Sequence, residues 1–171
     1  MISSNSEKSS FGSDLLTRKQ KNSDQFRFRR MAWLLAICGF LPFGLLAMSL
    51  FFLSKGDPNY GLAHNALTTY GAVILSFLGG IRWGAAMRSP ITDGSVRVLL
   101  FAVMPSLIGW FSLYLSSPYV FAVQALAFAG QGAWDAFAGE KGSVGMWYVK
   151  LRTVLTLLVS GSLIAAFFAT A

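Results

Sequence analysis

Apolar stretches of about twenty residues alternate with short polar segments along this chain. The stretches fall at about 31–53, 66–87, 98–115, 119–138 and 153–171. A helix needs about 20 apolar residues to cross roughly 30 Å of hydrocarbon, so each stretch is predicted to be a transmembrane helix. Pro42 lies near the middle of the first, beside Gly39 and Gly44, and Pro105 and Gly109 lie in the third. Each proline predicts a kink whose freed carbonyls are met by neighbouring helices. Ser116-Ser117-Pro118 predicts a tight turn into the fourth span. Residues 1–30 are rich in Ser, Asn, Gln and charge, which predicts a mostly disordered tail. Its end, Phe26-Arg27-Phe28-Arg29-Arg30, suits an anionic lipid surface. The fold class expected is all-α: an integral membrane bundle of five transmembrane helices over 31–171, behind a disordered basic cytoplasmic tail over 1–30.

Composition agrees. Only 12% of the 171 residues are charged, where soluble domains carry about 25%. The net charge of +7 is not spread as a nucleic-acid footprint would be, since no basic groove with interleaved aromatics is present. Seven of the fourteen basic residues precede residue 31: Lys8, Arg18, Lys19, Lys21, Arg27, Arg29 and Arg30. With the tail cytoplasmic, Arg82, Arg88, Arg97, Lys141, Lys150 and Arg152 also fall inside, and Lys55 alone falls outside. That bias places the N-terminus in, on the cytoplasmic side, and the C-terminus out. The first apolar run is too long for a secretory signal. Glu7, Asp14 and Asp24 weigh against a mitochondrial transit peptide. Cys38 is the single cysteine, so no intramolecular disulfide and no paired-cysteine metal site is expected.

The candidate chemistry is sparse. Ser76, Gly80 and Gly84 follow at intervals of four on the second span and predict a small ridge for close helix packing, with Gly79 beside them. Arg82 lies off that ridge. An arginine in hydrocarbon costs about 2.5–3.5 kcal/mol on insertion scales, so it either snorkels to the interface or finds a partner. Gln124, Gln131 and Asp135 share one helical face of the fourth span. The second and fourth spans run in the same direction, which brings Arg82 and Asp135 to similar depth. An Arg82–Asp135 ion pair is therefore expected, with Gln131 and Trp134 beside it, and exchanging both charges should restore what either reversal destroys. Trp33, Trp83, Trp134 and Trp147 suit an interfacial belt, as does the loop Gly139–Lys150. His64 in the loop Ser54–Asn65 reads as a solvated or capping residue. No catalytic set, nucleotide loop, metal site or cofactor site is expected.

Thr69-Tyr70-Gly71-Ala72, Ser76-Phe77-Leu78-Gly79-Gly80, Arg82-Trp83-Gly84 and Gln131-Gly132-Ala133-Trp134-Asp135 together resemble a family of small bacterial inner-membrane proteins that includes eukaryotic transmembrane protein 69. The resemblance covers about residues 30–171. It implies a multi-span helical membrane protein of unknown function and supplies no activity, substrate or cofactor. The expected role is non-enzymatic: packing with partners or with copies of itself in the bilayer, in assembly or membrane maintenance. The alternative is a small transporter or channel component with a polar path along the fourth helix.

Overall fold

The computed structural model describes residues 3–88, 95–140 and 146–171. The described backbone is helical throughout, apart from short turns: α1 (Ser3–Phe52), α2 (Pro58–Arg88), α3 (Ser95–Ser112), α4 (Tyr119–Glu140) and α5 (Met146–Thr170). Three of these are long and apolar enough to cross a membrane: Ser23–Phe52 within α1, then α2 and α5. α3 is shorter, and α4 carries Gln124, Gln131 and Asp135 within its apolar run.

The first correction concerns residues 1–30. The tail expected to be disordered is helical from Ser3 onward. No proline precedes Pro42, Gly12 is the only glycine before Gly39, and Ser, Lys, Gln and Leu all tolerate helix at about 0.7 kcal/mol per residue or less. Poor apolar content denies such a segment a core, but it does not prevent backbone hydrogen bonding. The chain divides into two units, Met1–Ile37 and Cys38–Ala171. Within the first, Arg30 stacks on Phe26 at 5.4 Å, one turn earlier.

Element ends also move. α2 begins at Pro58 rather than 66, because Asp57-Pro58 is a strong start signal. The Asp57 carboxylate accepts from the Asn59 amide at 2.8 Å, and proline at the first helical position gives up an amide that has no helical partner anyway. His64 thereby lies on a helix, not in a loop. It bonds Ser117 Oγ at 2.5 Å and meets Phe121 edge-on at 5.2 Å, tying α2 to the turn before α4. α3 ends at Ser112, and α5 begins at Met146 instead of 153. Gly142 and Gly145 of the expected interfacial loop lie outside the described residues.

In the second unit, Phe43 of α1 is buried against Tyr70 of α2 at 5.0 Å and Phe128 of α4 at 5.6 Å. Leu67, Leu75, Phe121 and Leu163 complete this centre from α2, α4 and α5. The Tyr70 hydroxyl donates to the Gly39 carbonyl at 2.8 Å, in the turn preceding Pro42 and next to the Cys38 carbonyl that the proline leaves without its helical amide. Outward-facing Leu45, Phe52, Leu126 and Phe168 are largely uncovered, which suits lipid rather than water.

Glycine contacts set the closest helix approaches. A Cβ at Gly79 would lie 2.5 Å from the Ala102 carbonyl oxygen, and one at Gly109 would lie 3.1 Å from the Ala72 backbone. Seven residues separate the two points on each helix, so α2 and α3 run antiparallel and mesh twice, two turns apart. Gly132 makes a similar notch for Thr156, joining α4 to α5. At the far end, Lys55 Nζ donates to the Thr170 carbonyl at 3.4 Å and the Ala171 carbonyl at 3.1 Å, a cation at the negative end of α5.

Candidate functional site

Three helices converge on one carboxylate. Asp135 lies near the end of α4, where its two oxygens take different partners. Arg82 Nη2 from α2 approaches Oδ1 at 2.5 Å, and Arg152 Nε from α5 approaches Oδ2 at 2.7 Å. Arg82 Nη2 also donates to the Gln131 carbonyl at 3.5 Å, and its guanidinium covers the Trp134 ring at 4.9 Å. The predicted Arg82–Asp135 pair is present, with Gln131 and Trp134 beside it. Sequence reasoning missed Arg152, which it treated only as an orienting charge. A signal was there: Arg152 follows Asp135 across one short connection between antiparallel helices, at matching depth.

Among the described residues the cluster holds two guanidiniums and one carboxylate, a formal net charge of +1. Each side chain is largely withdrawn, with 16% exposure for Arg82, 14% for Asp135 and 11% for Arg152. At such burial the desolvation of each ion is offset only by close pairing, which both contacts supply.

Gln124 does not join this cluster. Eleven residues of helix, about 16 Å, separate it from Asp135. It is fully buried, with its amide nitrogen donating to the Thr68 carbonyl at 2.9 Å and to Ser112 Oγ at 3.0 Å. Its Oε1 has no partner and rests against Gly71, where any Cβ would collide with it. The polar face of α4 is thus two separate ties, one to α2 and α3 and one to α2 and α5. Hydrogen bonds between transmembrane helices average about 0.6 kcal/mol, with about 1.7 as the largest measured. Gln124→Leu is accordingly expected to lower unfolding stability in detergent by about 1 kcal/mol, less than any change at Asp135.

The expected packing residues divide. Gly79 is buried in the α2–α3 notch, while a Cβ at Gly80 or Gly84 would meet nothing within 4 Å. Ser76 is exposed and bonds its own helix at the Ala72 carbonyl, 3.0 Å away. Among the described residues, Gly79 alone of the predicted small residues makes a close contact with another helix.

A groove adjoins the arginine cluster. Two hollows between α3 and α4, of about 420 and 530 Å³, share Met104, Ile108 and Val123. The first reaches Arg82 and Trp134, and the second reaches Ser112 and Leu115. Among the described residues, Arg82 and Gln131 are the only ones with charged or amide side chains in the first lining.

A family model described as "Protein of unknown function (DUF3429)" matches residues 28–168. The chain belongs to this family. The DUF3429 match takes in Arg82, Gln124, Asp135 and Arg152 together with the greater part of every apolar stretch. Transmembrane protein 69 of Xenopus tropicalis is 30% identical over 135 residues, which cover 77% of this chain and 51% of that protein. The chain therefore spans about half the length of that relative. No solved structure matches. Family membership and the long apolar helices make this DUF3429 chain a membrane protein with transmembrane helices.

Proposed function

We infer that this protein is a five-span, non-enzymatic component of a bacterial inner membrane, with its N-terminus cytoplasmic and its C-terminus external, acting in assembly or membrane maintenance. The observation that carries this reading is the engagement of Asp135. It accepts arginines from two other helices, so the strongest polar group at depth serves helix association. α3 and α4 complete the count of spans: 18 and 22 residues correspond to about 27 and 33 Å of helix. The Gln124 amide nitrogen and the Asp135 carboxylate of α4 have partners on neighbouring helices, which suits a helix in a bilayer. The same engagement disfavours a transport path along α4. The exposed Ser76-Gly80-Gly84 ridge offers a second copy or another membrane protein a surface for close approach.

Reporter fusions test the orientation: a fluorescent protein should mature at the N-terminus, and alkaline phosphatase should be active only at the C-terminus. Gly80→Leu should abolish recovery of copies or partners after mild cross-linking while leaving the fold intact. Flux in reconstituted vesicles that disappears with Gln131→Ala, in protein that still folds, would establish the transport reading instead.

A further inference from the structure

We propose that the groove between α3 and α4 holds one anionic phospholipid, its acyl chain along the groove and its phosphate at Arg82. The leaflet concerned rests on the orientation given above; the groove and the lipid class do not.

Three features point to this occupant. The first is length. From Phe101 to Ser112 the groove follows eleven residues of α3, about 16 Å at 1.5 Å per residue. One leaflet of hydrocarbon is about 15 Å deep, half of the roughly 30 Å core. The second feature is the lining, where Phe101, Met104, Ile108, Val123 and Leu126 present hydrocarbon and Trp134 closes the polar end. The third is charge. Arg82 lines the groove while sharing Asp135 with Arg152, so among the described residues the cluster carries one positive charge more than its carboxylate balances. Uncompensated charge at membrane depth is expensive. A phosphodiester supplies the missing anion, and guanidinium–phosphate hydrogen bonds are among the strong charge-assisted kind. The hydrogen bonds described for Arg82 leave from Nη2 alone, and a guanidinium has five donors. An apolar helix from a second copy would fill the groove but leave that charge unbalanced.

The full chain, purified in mild detergent and stripped of lipid, is titrated with dioleoyl phosphatidylglycerol or dioleoyl phosphatidylcholine and read by native mass spectrometry. Wild type should retain one phosphatidylglycerol at least tenfold more tightly than phosphatidylcholine. Millimolar inorganic phosphate should not displace it, because the acyl chain contributes most of the binding. Ile108→Trp, which fills the groove, should weaken phosphatidylglycerol binding at least tenfold with the helical circular-dichroism signal unchanged. Arg82→Gln should remove the preference between the two lipids. Equal retention of both lipids by wild type overturns the proposal, and that comparison stands even if a variant fails to fold. Displacement by inorganic phosphate overturns it as well. So does wild-type-like lipid binding by Ile108→Trp, or ready disulfide cross-linking of two copies through Ile108→Cys.

Discussion

Asp135→Ala is expected to destabilise the bundle by about 3–5 kcal/mol, the range for removing one partner of a buried ion pair. The loss is large because one substitution strands two guanidiniums, each largely withdrawn from its surroundings. Thermal unfolding in mild detergent and accumulation in the membrane would both report it. The geometry also sharpens the charge-exchange experiment. A simple swap, Arg82→Asp with Asp135→Arg, would rescue an isolated pair. Here Arg152 lies 2.7 Å from the same carboxylate, so an arginine at position 135 would face it. The double exchange should remain unstable, and recovery should need Arg152→Asp as well. A double exchange that accumulates like wild type would remove Arg152 from the cluster.

Gly79→Leu is the second substitution expected to be severe. Its new Cβ would lie 2.5 Å from a backbone carbonyl of α3, which cannot rotate aside as a flexible side chain can. Relief requires α2 and α3 to separate, which also loosens the companion notch at Gly109. A loss at the upper end of the about 1–3 kcal/mol typical of overpacking is expected. Gly80→Leu provides the control on the adjacent residue. A Cβ there meets nothing within 4 Å, so its unfolding should stay within about 0.5 kcal/mol of wild type.

These two sites show what could be read from residues alone. Arg82 and Asp135 were legible as partners because depth in a bilayer follows from the position of a residue within its span. Arg152 obeyed the same rule, but its role as an orienting charge already explained its presence. The glycines were harder. Spacing of four identifies a smooth ridge, yet the rotation of α2 decides whether Gly79 or the Ser76-Gly80-Gly84 face meets α3, and that rotation is set by the neighbouring helix. The face that Gln124 shares with Gln131 and Asp135 follows from their spacing, whereas its partners Thr68 and Ser112 come from two other helices and have no sequence relation to it. The early start of α2 is signalled by Asp57-Pro58, a capping feature that hydropathy does not register. The helical state of residues 3–30 does not follow from composition, because low apolar content argues against a core and is silent about backbone bonding.

The glycine notches have a mechanical consequence. α2 grips α3 at two points of backbone contact, and α4 grips α5 where Gly132 admits Thr156. Between these stiff pairs, α3 and α4 face each other across an open groove. Across the groove the two pairs are joined by side-chain ties, Gln124 to Thr68 and Ser112 and Asp135 to Arg82, rather than by backbone contact. A change of spacing is therefore expected first between the pairs, where rotatable side chains bridge the helices, and last within a pair, where backbone meets backbone.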